Sequence, residues 1–178
     1  MNFRIIALAS CVALGSIALG GKAQAQSVDV PFGGTITNTC TFGVPTTGAL
    51  IRSGNLNAVE GSTGVTGFAT GTAGKVTLNC TAGGSVVAAA PAPVAVPAGF
   101  TPVVRQAVVQ LNASTSFTSA NAGGNFNTTA AWTKPTTPLT VTAGAQTLNV
   151  AMVAGTNVAG APPAGTYTYN VRLTATSN

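Results

Sequence analysis

A chain that runs to 178 residues with only seven basic and two acidic side chains is barred from several common folds. Charged residues are 5 % of the total, against roughly 25 % in an average soluble domain. Salt-bridged helical bundles and coiled coils need charged faces, and this chain has none to give them. Charge-driven disorder is excluded as well, because charges are scarce while hydrophobic residues reach 46 %, enough to bury a core. The composition is that of an all-β protein. Thr and Val are frequent, and the 22 Gly and 10 Pro fall largely into turn clusters at short intervals.

Several segments alternate with period 2, the signature of a strand with one buried and one wet face. Val28, Val30, Phe32, Gly34 and Ile36 share one face of the first. Val76, Leu78 and Cys80 mark a second, and Leu148, Val150, Met152 and Ala154 a third. The clearest is the C-terminal run, with Tyr167, Tyr169, Val171, Leu173 and Ala175 against Thr166, Thr168, Asn170, Arg172 and Thr174. Weaker patterns predict strands near 49–52, 64–70, 84–89, 102–112, 128–133 and 138–143. Residues 88–99, biased toward Ala, Pro and Val, read as an extended surface loop or in part an edge strand. No long helical pattern follows the N-terminal segment, and no repeat of 20–50 residues is evident. Many short strands between such turns argue for a single-domain β-sandwich.

Residues 1–25 read as a secretory leader. Arg4 supplies the basic start, an apolar stretch runs from Ile5 to Gly20, and Ala23-Gln24-Ala25 places small residues at the cleavage positions. As a membrane span the stretch is short of the ~20 residues required, and Lys22 closes it. The lipobox-like Leu8-Ala9-Ser10-Cys11 follows Arg4 too closely for an ordinary apolar region. Cleavage before Gln26 removes Cys11 and leaves Cys40 and Cys80. In an exported chain two cysteines point to one disulfide; two buried free thiols are the alternative reading.

The first alternating run has an unusual place. Residues 26–33 open the processed chain, ahead of Cys40, where a segment without a partner should be polar and frayed. It is either the first strand of its own sheet or a strand that pairs with a sheet edge on another molecule.

At this point the residues resemble a family, the bacterial chaperone–usher pilins, including their archaic and spore-coat-U-like branch. Val30-Pro31-Phe32-Gly33-Gly34 resembles the family's donor strand. The segment 35–40 resembles its first strand, leading to the first cysteine, and 74–80 resembles the strand bearing the second. Pro163-Ala164-Gly165-Thr166-Tyr167 and the run that follows resemble its final strand. The resemblance implies an immunoglobulin-like, pilin-type incomplete β-sandwich with one disulfide, Cys40 to Cys80. It divides the chain into a leader (1–25), a donor-strand extension (26–33) and a sandwich domain (34–178). It implies an acceptor groove exposing Tyr167, Tyr169, Val171 and Leu173. Val28, Val30 and Phe32 of the next subunit fill that groove, with Gly34 where it has no room. The implied partners are identical or related subunits joined head to tail, a periplasmic chaperone and an outer-membrane usher. The implied destination, through the periplasm, is a cell-surface fibre for adhesion or biofilm.

Other chemistries find little support. The chain has no His, which excludes a His-based metal site, a His general base and a Ser-His-Asp triad. Asp29 and Glu60 are the only carboxylates, and Asp29 lies in the leading segment. No catalytic residue, metal or cofactor is expected. The cations that survive cleavage, Arg52, Lys75, Arg105, Lys134 and Arg172, are scattered singly, so no nucleic-acid partner is expected. Trp132, Tyr167 and Tyr169 could form a sugar-stacking platform, although aromatics on alternating strands more often pack a core. The second reading is therefore a monomeric secreted β-sandwich, an adhesin or carbohydrate-binding module.

Overall fold

A computed structural model describes residues 27–126 and 132–178. The leader read at 1–25 lies outside the described residues, as does most of the strand expected at 128–133; Trp132 and Thr133 are not in a strand. The chain divides into two units, Met1–Thr35 and Ile36–Asn178. In the first unit, residues 27–35 form no strand and their side chains are exposed.

All regular structure among the described residues is β, and all of it lies in the second unit. The strands are β1 (Cys40–Phe42), β2 (Ile51–Arg52), β3 (Leu56–Gly61), β4 (Gly74–Cys80), β5 (Gly84–Ala88), β6 (Ala92–Ala95), β7 (Val104–Leu111), β8 (Phe117–Ala122), β9 (Leu139–Val141), β10 (Gly144–Ala159), β11 (Thr168–Asn170) and β12 (Leu173–Ser177). No helix among the described residues is long and apolar enough to cross a membrane.

β10 is the spine of the larger sheet. One side of it pairs antiparallel with β7; the other pairs first with β4 and then with β3. β1 adds outside β4, β2 outside β3 and β8 outside β7. A second layer places β5 between β9 and β12, and β6 pairs with β11. The period-2 series on β10 explains how the layers meet. Leu148 and Val150 join Leu78, Val109, Val86, Leu139, Val141 and Leu173 in one core shared by both layers. Met152 and Ala154 continue it toward Val59, Phe100, Tyr167, Tyr169 and Val171.

The alternate residues of β10, Ala151 and Val153, face the other way into a second core with Val65, Ala73, Val108, Phe126 and Trp132. A strand buried on both faces loses the wet side of the alternation, which is why 150–155 reads as an unbroken apolar run. The strand expected at 64–70 is absent, because this stretch turns rather than extends. Gly64 and Gly67 have φ of 107° and 91°. Val65 N donates to Ser62 O and Phe68 N to Val65 O. The folded-back loop covers the far face of the sheet, with Phe68 edge-on to Trp132 at 4.6 Å.

Two further expectations shift. The alternating run 28–36 is in no sheet, and the first strand, expected over 35–40, begins only at Cys40. β4 ends at Cys80, directly opposite Cys40, and beyond that pair the backbone contact narrows to Thr81 N donating to Thr39 O. The C-terminal run is split between β11 and β12 at Val171 and Arg172, mirroring the interruption between β5 and β6 that contains Pro91.

Candidate functional site: a groove between two strand edges

Two strand edges are left without a partner on one side of the molecule. Among the described residues β1 is the end of its sheet and bonds only to β4, while β12 bonds only to β5 and β11 only to β6. In an antiparallel ladder, successive residues point their peptide groups to opposite sides. Ala89 N donates to Arg172 O and Asn178 N to Gly83 O, so even-numbered residues of this stretch bond inward. The peptide groups of Val171, Leu173 and Ala175 therefore face the open edge.

At one end the two edges are tied. Asn38 Nδ2 donates to Asn178 O at 2.6 Å, and Ser177 Oγ donates to Asn38 O at 3.0 Å. Beyond that tie they diverge around a groove of about 510 Å³. One wall is the segment 42–48, held along β4 by the Thr46–Lys75 bridge and leading to the Ala49–Thr72 bridge. The other wall carries Tyr167, Tyr169, Val171 and Leu173, all four residues named from the C-terminal run. Each is half-buried, its inner side on the core and its outer side on the groove.

The floor was not anticipated. It is made by Val76 of β4, Val150 and Met152 of β10, and Leu50, which the sequence shows only as strand residues. The signal was present in the Val150–Met152 series, but alternation alone does not say that part of a buried face lies beneath an opening. Gly48, Gly61 and Gly74 line the groove beside them. At Gly48 a Cβ would meet Thr72 O at 2.6 Å, so this wall approaches its neighbour as only glycine permits.

The disulfide fixes one wall. Cys40 and Cys80 are bonded across a directly opposed pair of β1 and β4, with Cα atoms 4.1 Å apart. The opposite wall carries two phenol hydroxyls. Tyr167 donates its hydroxyl hydrogen to Pro163 O. The Tyr169 hydroxyl oxygen is buried without a hydrogen-bond partner. Burial pushes the Tyr169 pKa above its ordinary 10.0; nearby Arg105 pulls it down, and Tyr167 adds a smaller upward push. Burial likewise raises the pKa of Tyr167.

The residues of the leading segment are exposed. Val28 is 85 %, Val30 64 %, Phe32 94 % and Ile36 93 % accessible. Gly33 and Gly34 have no heavy atom near the place a Cβ would occupy. Single apolar residues on a surface are ordinary, but four at alternate positions of one segment are not.

The remaining candidates are placed elsewhere. Trp132 is buried against Phe68 and Phe126, so it offers no stacking face. Glu60 is buried, accepting from Ser53 Oγ and Ser62 Oγ at 2.5 Å each, an arrangement that satisfies a carboxylate rather than presents it to a substrate. No cluster of three or more metal-ligating His, Cys, Asp or Glu occurs among the described residues.

No family model matches this chain, and neither a curated protein nor a solved structure matches it.

Proposed function

We propose that this chain is a structural subunit that joins to copies of itself by strand donation, the leading segment of one copy completing the groove of the next. The observation that carries the reading is the groove itself: two free strand edges, an apolar floor, and peptide groups of Val171 and Leu173 aimed at vacant space. An added strand satisfies those groups with its main chain and fills the floor with alternate side chains. Residues 28–34 have that pattern. Burying Val28, Val30 and Phe32 at ~1.5–3 kcal/mol each gives roughly 5–9 kcal/mol before the cost of ordering.

Chain reach favours a neighbour over self-completion. An antiparallel strand beside the C-terminal wall ends near Tyr167, while Cys40 sits at the end tied to Ser177. From Ile36 to Cys40 the chain reaches at most ~14 Å. The wall from residue 167 to 173 is ~20 Å long. A contact that links one surface to a different surface propagates into a fibre instead of closing a dimer.

In this reading the fold is an immunoglobulin-like, pilin-type sandwich without its last strand. The subunit is exported through the periplasm, shielded by a chaperone, and assembled at an outer-membrane usher into a surface fibre. The test is an unboiled denaturing gel of the secreted protein. A ladder is expected, and it collapses to monomer when residues 26–33 are deleted, with the circular-dichroism spectrum retained. A single monomer band from the intact chain supports the monomeric adhesin instead. Fibres from the deletion variant end the strand-donation reading.

A further inference from the structure

Resting on the strand-donation reading, we infer that Asp29 of one copy pairs with Arg172 of the next and thereby sets the register of the donated strand. The chain holds two carboxylates. Glu60 is buried and occupied by two serine hydroxyls, which leaves Asp29, exposed on the leading segment, as the accessible one. Three of the cations in the second unit are engaged: Arg52 donates to Gly160 O, Arg105 to Pro91 O, and Lys134 lies 4.4 Å over the Phe117 ring. Arg172 is exposed on the wall strand itself, between the groove residues Val171 and Leu173. Lys75 also lines the groove, but on the other wall, where it pairs with Thr46 and not with the C-terminal run along which the donated strand is laid.

Placing Asp29 opposite Arg172 in an antiparallel pair fixes every other neighbour. Val28 meets Leu173, Val30 meets Val171, Phe32 meets Tyr169 and Gly34 meets Tyr167. Sliding the strand by two residues in either direction leaves Asp29 opposite Asn170 or Thr174 and takes one of the four donor residues off the four-residue wall. Only this register gives the residue without a side chain to the wall's terminal tyrosine.

Backbone chemistry agrees. Val171 and Leu173 have free peptide groups, so the donor residues that bond to them are Val30 and Val28. Odd-numbered donor residues then point their peptide groups away from the wall, and Pro31, which has no N–H, loses no bond to it. The Asp29–Arg172 pair falls at a non-hydrogen-bonded position, where side chains stand closest, with Cα atoms ~4.5 Å apart. Cys40 and Cys80 occupy the same kind of position at 4.1 Å.

The test uses the full chain and a labelled peptide of residues 27–36. At low salt, the peptide with Asp29→Asn binds about two- to fivefold more weakly, and that with Asp29→Arg about tenfold more weakly. A chain with Arg172→Asp reverses the preference and takes the Asp29→Arg peptide best. Molar salt removes these differences. Independently, copies with Asp29→Cys mixed with copies with Arg172→Cys form an intermolecular disulfide, and they do so faster than with Asn170→Cys or Thr174→Cys. Equal affinity for the three peptides, or faster crosslinking at 170 or 174, overturns the pairing while strand donation stands. A chain that takes up no wild-type peptide overturns both.

Discussion

Two of the three outer strands of the larger sheet, β8 and β1, end in opposite ways. The β8 edge is closed by the chain's own residues. Ser119 N donates to Pro135 O, Ser119 Oγ to Lys134 O and Thr118 Oγ1 to Thr137 O, each at 2.8 Å. Prolines at 135 and 138 leave that cover poorly suited to accept a further strand. The β1 edge, facing the C-terminal strands, has no such cover beyond its tie at Asn38. One stretch of a few residues seals the first edge, so the second is not open for want of chain. It is open over an apolar floor, which is the combination that an added strand repairs.

The contrast can be broken by mutation. On the sealed side, Trp132→Ala removes a fully enclosed aromatic and costs ~3–5 kcal/mol in denaturant unfolding. On the open side, Val171→Ala trims a half-buried wall and costs the isolated chain about 1 kcal/mol, while weakening uptake of the 27–36 peptide. If Val171→Ala destabilises the chain as much as Trp132→Ala, the wall is core and not a site.

The same contrast governs what the amino-acid pattern could reveal. Strands with one wet face were legible: β4 runs over the alternating stretch that ends at Cys80, and the C-terminal run forms β11 and β12. Tyr167, Tyr169, Val171 and Leu173 share the dry face of that run and line the groove, but the alternation alone shows a dry face and not an opening beside it. Layers that fold over a face were not. At 64–70, Val65 and Phe68 look like strand residues, but the glycines at 64 and 67 take left-handed φ values and turn the segment into a lid on Trp132. Glu60 was equally hidden, because only the fold brings Ser53 and Ser62 to its two oxygens. The groove floor needed the pairing of β10 with both β4 and β3, which no local pattern encodes.

A middling effect is expected from the disulfide, and it sharpens the comparison because it touches one edge only. Replacing Cys40 and Cys80 by Ala costs about 2–4 kcal/mol for a bridge that closes this length of chain. β1 is three residues long, and among the described residues its pairing with β4 is the only ladder it has. Hydrogen exchange should therefore rise first at residues 40–48, with β7 and β8 still protected. Uniform loosening of both edges would mean that the groove wall has no stability of its own to lose.

The smallest effect is a titration, and it reads the open edge alone. The chain has two tyrosines, Tyr167 and Tyr169, and both line the groove. Burial favours the neutral phenol, so the folded pKa of Tyr169 lies above the unfolded value near 10.0. For such an acid the stabilisation is complete below the unfolded pKa and is lost as pH rises through the folded one. Stability should hold up to about pH 10 on this account and decline above it. A strand laid along the wall buries the hydroxyl further and disfavours the phenolate more. At a fixed pH above 10, adding the 27–36 peptide should therefore lower the phenolate absorbance. An unchanged spectrum on saturation would place the peptide somewhere other than beside Tyr169, and the open edge would then need a different occupant.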